Sequence, residues 1–276
     1  MVPFVWLNGA VLPIGDARVS PLSAGLLYGW GVFTTLGISD GRVRHSARHW
    51  ARLTSHAARL GVPLEHSLAD FEAGLAELVA LGRISTGRAR ATGVRGSAGP
   101  WRDESARSSD LWILAAALDE TPRPPLNLTV SPHRVNSASP LAGIKSTAYV
   151  SQLLTLDEAR RRDFDDAIVL NERGEVVETS SANLFWVRDG ELWTPSLGTG
   201  CLAGITRALV LEAATRLRIR AVEGAATLHV LHEAHEVFLT NSTRGVQPVA
   251  ELDIHRFAAP GPVTTRLAAA VAESDR

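Results

Sequence analysis

Apolar positions along the chain fall mostly into short alternating or continuous runs cut by Asn-Gly, Asp-Gly and proline, and only a few stretches repeat at helical spacing. Phe4-Val5-Trp6-Leu7 and Val11-Leu12 flank Asn8-Gly9, which predicts a hairpin over 4–14 with the positive φ angles of a tight turn. Residues 21–31 read as a glycine-punctuated loop carrying Tyr28 and Trp30. Residues 32–39 read as a buried strand, turned back by Asp40-Gly41 into Val43. Two helices follow. Ser46 is the expected N-cap of the first, with Trp50, Leu53, Ala57 and Leu60 on its apolar face and Gly61 ending it. Ser67 and Asp70 form a capping-box pattern before Leu68, Phe71, Leu75, Leu78 and Leu81, and Gly82 stops that helix. Strands are expected at 88–96 and 111–118, around a polar loop at 97–109.

Asp119-Glu120-Thr121-Pro122-Arg123-Pro124-Pro125 is the expected interdomain linker, because its prolines favour an extended, semi-rigid connection. This divides the chain into domains at 1–118 and 126–276. The second begins with a strand at 126–130 and a loop leading to Lys145. A helix at 150–162 follows, with Leu153, Leu154, Leu156 and Ala159 available for burial. Asn171-Glu172-Arg173-Gly174 and Asp189-Gly190 each read as the turn of a hairpin. A helix at 204–217, a strand at 235–240 and a helix at 263–272 complete the pattern. Many strands with interspersed helices predict an α+β fold with a mixed sheet. No Gly-x-Gly-x-x-Gly follows a strand, which argues against a Rossmann dinucleotide site.

Composition narrows the function. The chain is 45% apolar and 21% charged, as in soluble globular proteins, and its 276 residues suffice for two cores. A formal net charge of −1 gives no electrostatic case for nucleic acid or an anionic membrane. No uncharged apolar run reaches about 18 residues, so no membrane span is expected, and the first residues lack the basic and apolar regions of a signal peptide. Cys201 is the single cysteine, which fits a reducing compartment and an expected cytoplasmic location. No His/Cys cluster has metal-ligand spacing, so no metal is expected.

One residue type stands apart. Of 28 Lys+Arg only Lys145 is a lysine, leaving 27 arginines. Arginine replaces lysine as a surface charge but cannot serve as an imine-forming amine. Chance in an arginine-rich chain is the competing explanation, so the surroundings must decide. If the aldehyde partner is pyridoxal phosphate, a phosphate cradle and a carboxylate for the pyridine nitrogen are also needed. Gly198-Thr199-Gly200-Cys201-Leu202-Ala203-Gly204-Ile205-Thr206-Arg207 is a glycine-rich loop entering a helix, which suits a phosphate or an ordinary turn. Glu178 follows the strand residues Val176-Val177, and Asn241-Ser242-Thr243 follows another strand.

In this order, Gly143-Ile144-Lys145-Ser146, Glu178-Thr179-Ser180-Ser181-Ala182-Asn183-Leu184-Phe185 and Gly204-Ile205-Thr206-Arg207 resemble the class IV aminotransferase family. This is the fold-type IV group that includes branched-chain and D-amino acid aminotransferases, R-selective amine transaminases and aminodeoxychorismate lyase. The resemblance runs from Trp6-Leu7-Asn8-Gly9 past Gln247-Pro248-Val249. It implies a two-domain fold, a small N-terminal α/β domain and a larger C-terminal mixed-sheet, barrel-like domain, and a homodimer. It implies pyridoxal 5'-phosphate as cofactor, with small-molecule amino donors and keto acid acceptors as partners. It makes Lys145 the catalytic residue, carrying the cofactor as a Schiff base and moving the proton between substrate and cofactor. The cofactor-binding residues it implies are Arg52, Lys145, Tyr149, Glu178, Ile205, Thr206 and Ser242. Glu178 is assigned to the pyridinium nitrogen, and Arg52, Ile205, Thr206 and Ser242 to the phosphate. Tyr149 lies one residue closer to the lysine than the family tyrosine that meets the phenolic oxygen. Tyr28, Trp30, Phe33 and Arg102 are the implied or candidate substrate-pocket residues; Arg102 reads either as a carboxylate partner or as a surface arginine.

Two reactions share this cofactor. The primary expectation is a transaminase, moving an amino group between an amino acid or amine and a keto acid. The alternative is 4-amino-4-deoxychorismate lyase, which releases pyruvate and 4-aminobenzoate for folate synthesis. Val32-Phe33-Thr34-Thr35 is lyase-like, with Thr where many transaminases have Glu. Ser146 and Gly204-Ile205-Thr206-Arg207 are transaminase-like. Arg95-Gly96 is followed by Ser97-Ala98-Gly99-Pro100-Trp101-Arg102, without the Arg-x-His of D-amino acid enzymes.

Overall fold

The computed structural model describes residues 2–102, 107–119 and 124–274. Of the linker expected at 119–125, residues 120–123 lie outside the described residues. The chain forms two compact units, Met1–Thr121 with Ile144–Tyr149, and Pro122–Gly143 with Val150–Arg276. Lys145 therefore belongs to the first unit, although the chain on either side of its segment belongs to the second. The architecture is mixed α+β with two curled sheets, as the sequence leads one to expect.

The first unit holds β1 (Phe4–Leu7), β2 (Ala10–Pro13), α1 (Ala24–Tyr28), β3 (Gly31–Ser39), β4 (Arg42–Val43), α2 (Ser46–Arg59), α3 (Leu68–Leu81), β5 (Gly87–Arg95) and β6 (Ser109–Ala117). Its sheet is antiparallel in the order β2-β1-β6-β5-β3-β4. Asn8 and Gly9 take φ of 50° and 96° and close the first hairpin. The capping box of Ser67 and Asp70 is complete. Two local expectations change. The segment 21–31 contains the short helix α1, capped by Ser23 and ended by a left-handed Gly29. Ser46 is not the N-cap of α2: His45 enters the helix from a left-handed φ of 51°, and the Ser46 hydroxyl donates to Glu72.

Period-two alternation divides this sheet into two faces. Val32, Leu36, Ile38, Ala89, Ala91, Leu111, Ile113 and Ala115 join Trp50, Leu53, Phe71, Leu75 and Leu78 of α2 and α3 in one core. The strand register gives the opposite face Phe33, Thr35, Arg90, Thr92, Trp112 and Leu114.

The second unit holds β7 (Leu126–Val135), α4 (Val150–Arg161), β8 (Asp166–Asn171), β9 (Val176–Thr179), β10 (Asn183–Arg188), β11 (Glu191–Pro195), α5 (Ile205–Arg216), β12 (Ala221–Gly224), α6 (His229–His232), β13 (Glu236–Asn241), β14 (Gly245–Leu252), β15 (His255–Arg256) and α7 (Pro262–Ser274). Its sheet runs β12-β11-β10-β13-β14-β7-β8-β9, with β15 on β14 and three parallel pairs. Along β10, Leu184 and Trp186 enter one core, while Phe185 and Val187 enter another with α5 and α7. Phe185 stacks on its cross-strand partner Phe238 at 5.1 Å. β7 continues beyond the expected end at 130, across a register shift. The expected burial of Leu153 and Leu154 is wrong: they are 57% and 54% exposed, and α4 buries Ala159 and Thr155 instead.

A buried histidine ties α2 to β3. His49 is 1% exposed, and its Nδ1 lies 2.6 Å from the Thr34 hydroxyl. Arg52 Nη2 donates to the same hydroxyl at 3.0 Å, so Thr34 accepts from Arg52 and donates to a neutral His49. Burial, aided by the Arg52 charge, pushes the His49 pKa down to about 2. The unfolded chain takes up a proton here as the pH falls below the usual value of about 6.5, and the folded chain does not, so stability is lost on acidification. Between pH 7.5 and 5 the loss from His49 alone is about 2 kcal/mol. Urea unfolding across that range will show a correspondingly steeper decline for the wild type than for His49→Gln, which keeps an acceptor without the titration. Parallel pH curves would refute the assignment.

Candidate active site

In the first unit, the segment carrying Lys145 adds itself to the open edge of β3. Phe33 N–H donates to Lys145 O at 2.9 Å, Thr147 N–H donates to Gly31 O at 2.9 Å, and Val32 and Ser146 form an antiparallel bridge. The Thr147 hydroxyl donates to Gly29 O at 2.7 Å. Gly31 permits this approach: a Cβ there would lie 2.6 Å from Gly93 O and 2.9 Å from Thr147 Oγ1. The pairing puts Lys145 opposite Phe33, on the face that lacks the α2–α3 core. Its Nζ lies 4.6 Å from the centroid of the Phe33 ring and 5.6 Å from that of Tyr149, and the two rings meet edge to face at 5.1 Å.

The other main-chain group of Lys145 is also held. Its N–H donates to His56 Nδ1 at 3.1 Å, so His56 keeps that nitrogen unprotonated. Burial, then the charges of Arg52, Arg59 and Lys145, push the His56 pKa down to about 4. Arg52, one helical turn before His56, is fixed by the Thr34–His49 chain. The structure thus gathers Lys145, Phe33 and Tyr149 in one cluster, with Arg52 anchored on the α2 side of β3.

The remaining first-unit candidates are placed differently. Tyr28 is exposed on α1. Trp30 donates its indole N–H to Leu60 O at 2.8 Å, and Arg95 lies over its ring. Arg102 follows an exposed turn at Gly99–Trp101.

In the second unit, Glu178 lies in β9. Its Oε2 accepts from Leu202 N–H at 3.1 Å and from Asn183 Nδ2 at 3.2 Å. Asn183 also donates to Leu202 O at 2.8 Å, joining the carboxylate to the loop that enters α5. Gly204 is the N-cap of α5 and provides no side-chain cap for the first-turn N–H groups of Ile205 and Thr206. A side chain at Gly204 is impossible without rearrangement, because a Cβ would fall 2.0 Å from Asn183 Oδ1. Ser242 lies in the β13–β14 turn, where Asn241 Oδ1 accepts from Thr243 N–H and Arg244 N–H.

Pyridoxal phosphate fits these donor sets, taken unit by unit. The N-terminus of α5 has N–H groups without a side-chain cap, as a phosphate requires. Thr240 Oγ1 is buried without a hydrogen-bond partner, two residues before Ser242 and cross-strand from Asn183. The first unit has the amine. Among the described residues no cluster of acidic, His or Cys side chains suits a metal ion, and no helix is long and apolar enough to cross a membrane.

Sequence reasoning passed over His49, His56 and Arg90, and gave Thr34 and Asn183 no bonding role. His49 and His56 fall three residues before and four after Arg52 on a helix, a spacing that puts all three near one face. Asn183 belongs to the Glu178–Phe185 motif but had no role there. Arg90 lies two residues from Thr92, the cross-strand partner of Phe33, so alternation along β5 was its signal.

Residues 31–252 match the family Amino-transferase class IV. A provisionally named branched-chain-amino-acid aminotransferase of Methanocaldococcus jannaschii is 31% identical over 90% of this chain and 88% of its own. A solved structure of a provisionally named 4-amino-4-deoxychorismate lyase from Legionella pneumophila superposes with a TM-score of 0.87 at 27% identity, over 94% of this chain and 96% of that one. A branched-chain amino acid aminotransferase from T.th., complexed with N-(5'-phosphopyridoxyl)-L-glutamate, superposes with a TM-score of 0.90 at 27% identity, over 99% and 94%. With the match spanning both sheets and the site residues of each unit, the chain belongs to the class IV aminotransferase family.

Proposed function

We propose that the protein is a pyridoxal-phosphate-dependent transaminase that moves an amino group between an amino acid or amine and a keto acid. The observation that carries this reading is the sole lysine of the chain, held by both main-chain groups with its amine against Phe33 and Tyr149. Bound pyridoxal phosphate supplies an electron sink that acidifies the substrate Cα–H. Lys145 holds the cofactor through its amine and carries the proton at Nζ. Glu178 keeps a negative charge for the ring nitrogen, stabilised by the N–H groups of Leu202 and Asn183. The amides of Ile205 and Thr206, with Ser242 and Arg52, bind the phosphate. Tyr149 lines the amine. Support for this cofactor comes from the uncapped α5 terminus and from the phosphopyridoxyl ligand named for the T.th. relative.

A specific observation favours the lyase as second reading. Thr34, which stands where many transaminases have Glu, is buried and engaged by both Arg52 and His49, and a structural relative carries the lyase name. The two reactions separate in one assay. The transaminase predicts that amino donors bleach the yellow holoenzyme and that a keto acid restores the colour. Pyruvate and 4-aminobenzoate formed from aminodeoxychorismate without such a cycle would replace it with the lyase. Lys145→Arg keeps the charge and removes the amine chemistry; it will purify colourless and lose activity by at least about a thousandfold. Retained colour would refute the role of Lys145.

A homodimer in a reducing, cytoplasmic setting is proposed with it. Val150, Leu153 and Leu154 form an exposed apolar patch on α4, 66%, 57% and 54% accessible, of the kind that partner chains cover. Sedimentation of Leu153→Glu/Leu154→Glu will give monomers, whereas an unchanged dimer would exclude α4 from the interface.

A further inference from the structure

In the second unit, the turn between β8 and β9 joins two loops through one arginine. Arg173 Nη1 donates to Ser137 Oγ at 2.6 Å and to Glu172 Oε1 at 2.7 Å. Its Nη2 donates to Glu175 Oε2 at 2.7 Å and to Gly198 O at 3.2 Å. Glu172 in turn accepts from the N–H and the hydroxyl of Ser137, at 2.8 and 2.7 Å, and these two bonds hold its carboxyl down at about 2. Asn171, fully buried, donates to Glu175 Oε2 at 2.7 Å and to Thr199 O at 3.2 Å. The two loops also meet directly. Gly143 N–H donates to Gly200 O at 3.1 Å, and a Cβ on Gly200 would lie 3.2 Å from Ser137 Cα. Arg173 is half exposed, so its ion pairs taken singly add little to stability. Its planar fork nevertheless engages both loops at once, which a single ammonium does not match.

These are the loops that the proposed chemistry uses. Gly143 stands two residues before Lys145 in the chain. The other loop carries Leu202, whose N–H meets Glu178, and then enters α5. We propose that Arg173 is a positioning residue: it sets the 136–143 and 196–202 loops together before the cofactor arrives, and so raises the affinity for pyridoxal phosphate by acting through the loops. This rests on the cofactor of the proposed function. A loop that is free in the apoprotein must be ordered on binding, and the entropy lost then weakens binding; a loop already held has less to lose.

The test uses the full chain, as apoprotein and with pyridoxal 5'-phosphate. Arg173→Met keeps the aliphatic stem and removes the donors. Arg188→Met is the control, because Arg188 also pairs with two carboxylates, Asp189 and Glu233, at a similar exposure but in the β10–β11 turn. Amide hydrogen exchange of the apoprotein will be at least about threefold faster in both loops for Arg173→Met, and unchanged there for Arg188→Met. The dissociation constant for pyridoxal phosphate, read from the absorbance of the bound cofactor, will rise about five- to twentyfold for Arg173→Met and stay within about twofold for Arg188→Met. Unchanged exchange in either loop overturns the proposal, as does wild-type cofactor affinity in Arg173→Met or an equal loss in Arg188→Met. Failure of the proposed function looks different: the wild type itself binds no cofactor or is not bleached by amino donors, and exchange in the apoprotein then decides whether Arg173 holds both loops.

Discussion

The arrangement in the first unit depends on one edge. At Gly31–Phe33 the edge of β3 away from β5 is not covered by β4, and residues 145–147 occupy it as a short added strand. Main-chain pairing has a period of two, so one choice of register places Lys145 on the face of Phe33 and Ile144 toward the α2–α3 core. A slip of one residue would exchange them and send the amine into packed hydrocarbon. Glycine at 31 gives the segment room, and His56 fixes the remaining N–H of Lys145. A flexible side chain is thereby launched from a fixed backbone, the condition for a small set of amine positions.

The second unit applies a similar constraint to a carboxylate. Glu178 is held by Asn183 and by the N–H of Leu202, and Asn183 closes on the carbonyl of Leu202. Displacement of Glu178 therefore disturbs the loop before α5, and a substitution at Gly204 disturbs Asn183. The Glu178 carboxylate and the loop that enters α5 are mechanically coupled through one asparagine. The paired cores on the two faces of β10 make that strand a rigid support for Asn183.

Much of this was legible in the sequence for physical reasons. Asn8-Gly9, Asp40-Gly41 and Asp189-Gly190 carry turn chemistry, and the helix α3 carries its own capping box, so their elements form where local preference places them. Lys145 stood out because arginine cannot replace an imine-forming amine. What escaped depended on tertiary contacts. β14 contains Pro248, which weighs against an interior strand, yet it pairs across from Phe238. α1 is too short for periodicity to register, and Leu153 and Leu154 looked like core because an apolar helix face reads the same whether it meets its own core or another chain. His56 and Arg90 gain meaning only when α2, β3 and β5 bring them to Lys145. Tyr28 and Trp30 came from sequence resemblance, and Arg102 from its place after Arg95-Gly96.

The central claim, that Lys145 is the amine that holds the cofactor, has a direct chemical test because the chain has one lysine. Borohydride reduction of the holoenzyme fixes pyridoxal phosphate to whichever amine carries it, and peptide mass mapping locates the addition. The account predicts one phosphopyridoxyl group on the peptide containing Lys145. Addition at the chain terminus, or stoichiometric cofactor that reduction leaves unattached, would contradict it.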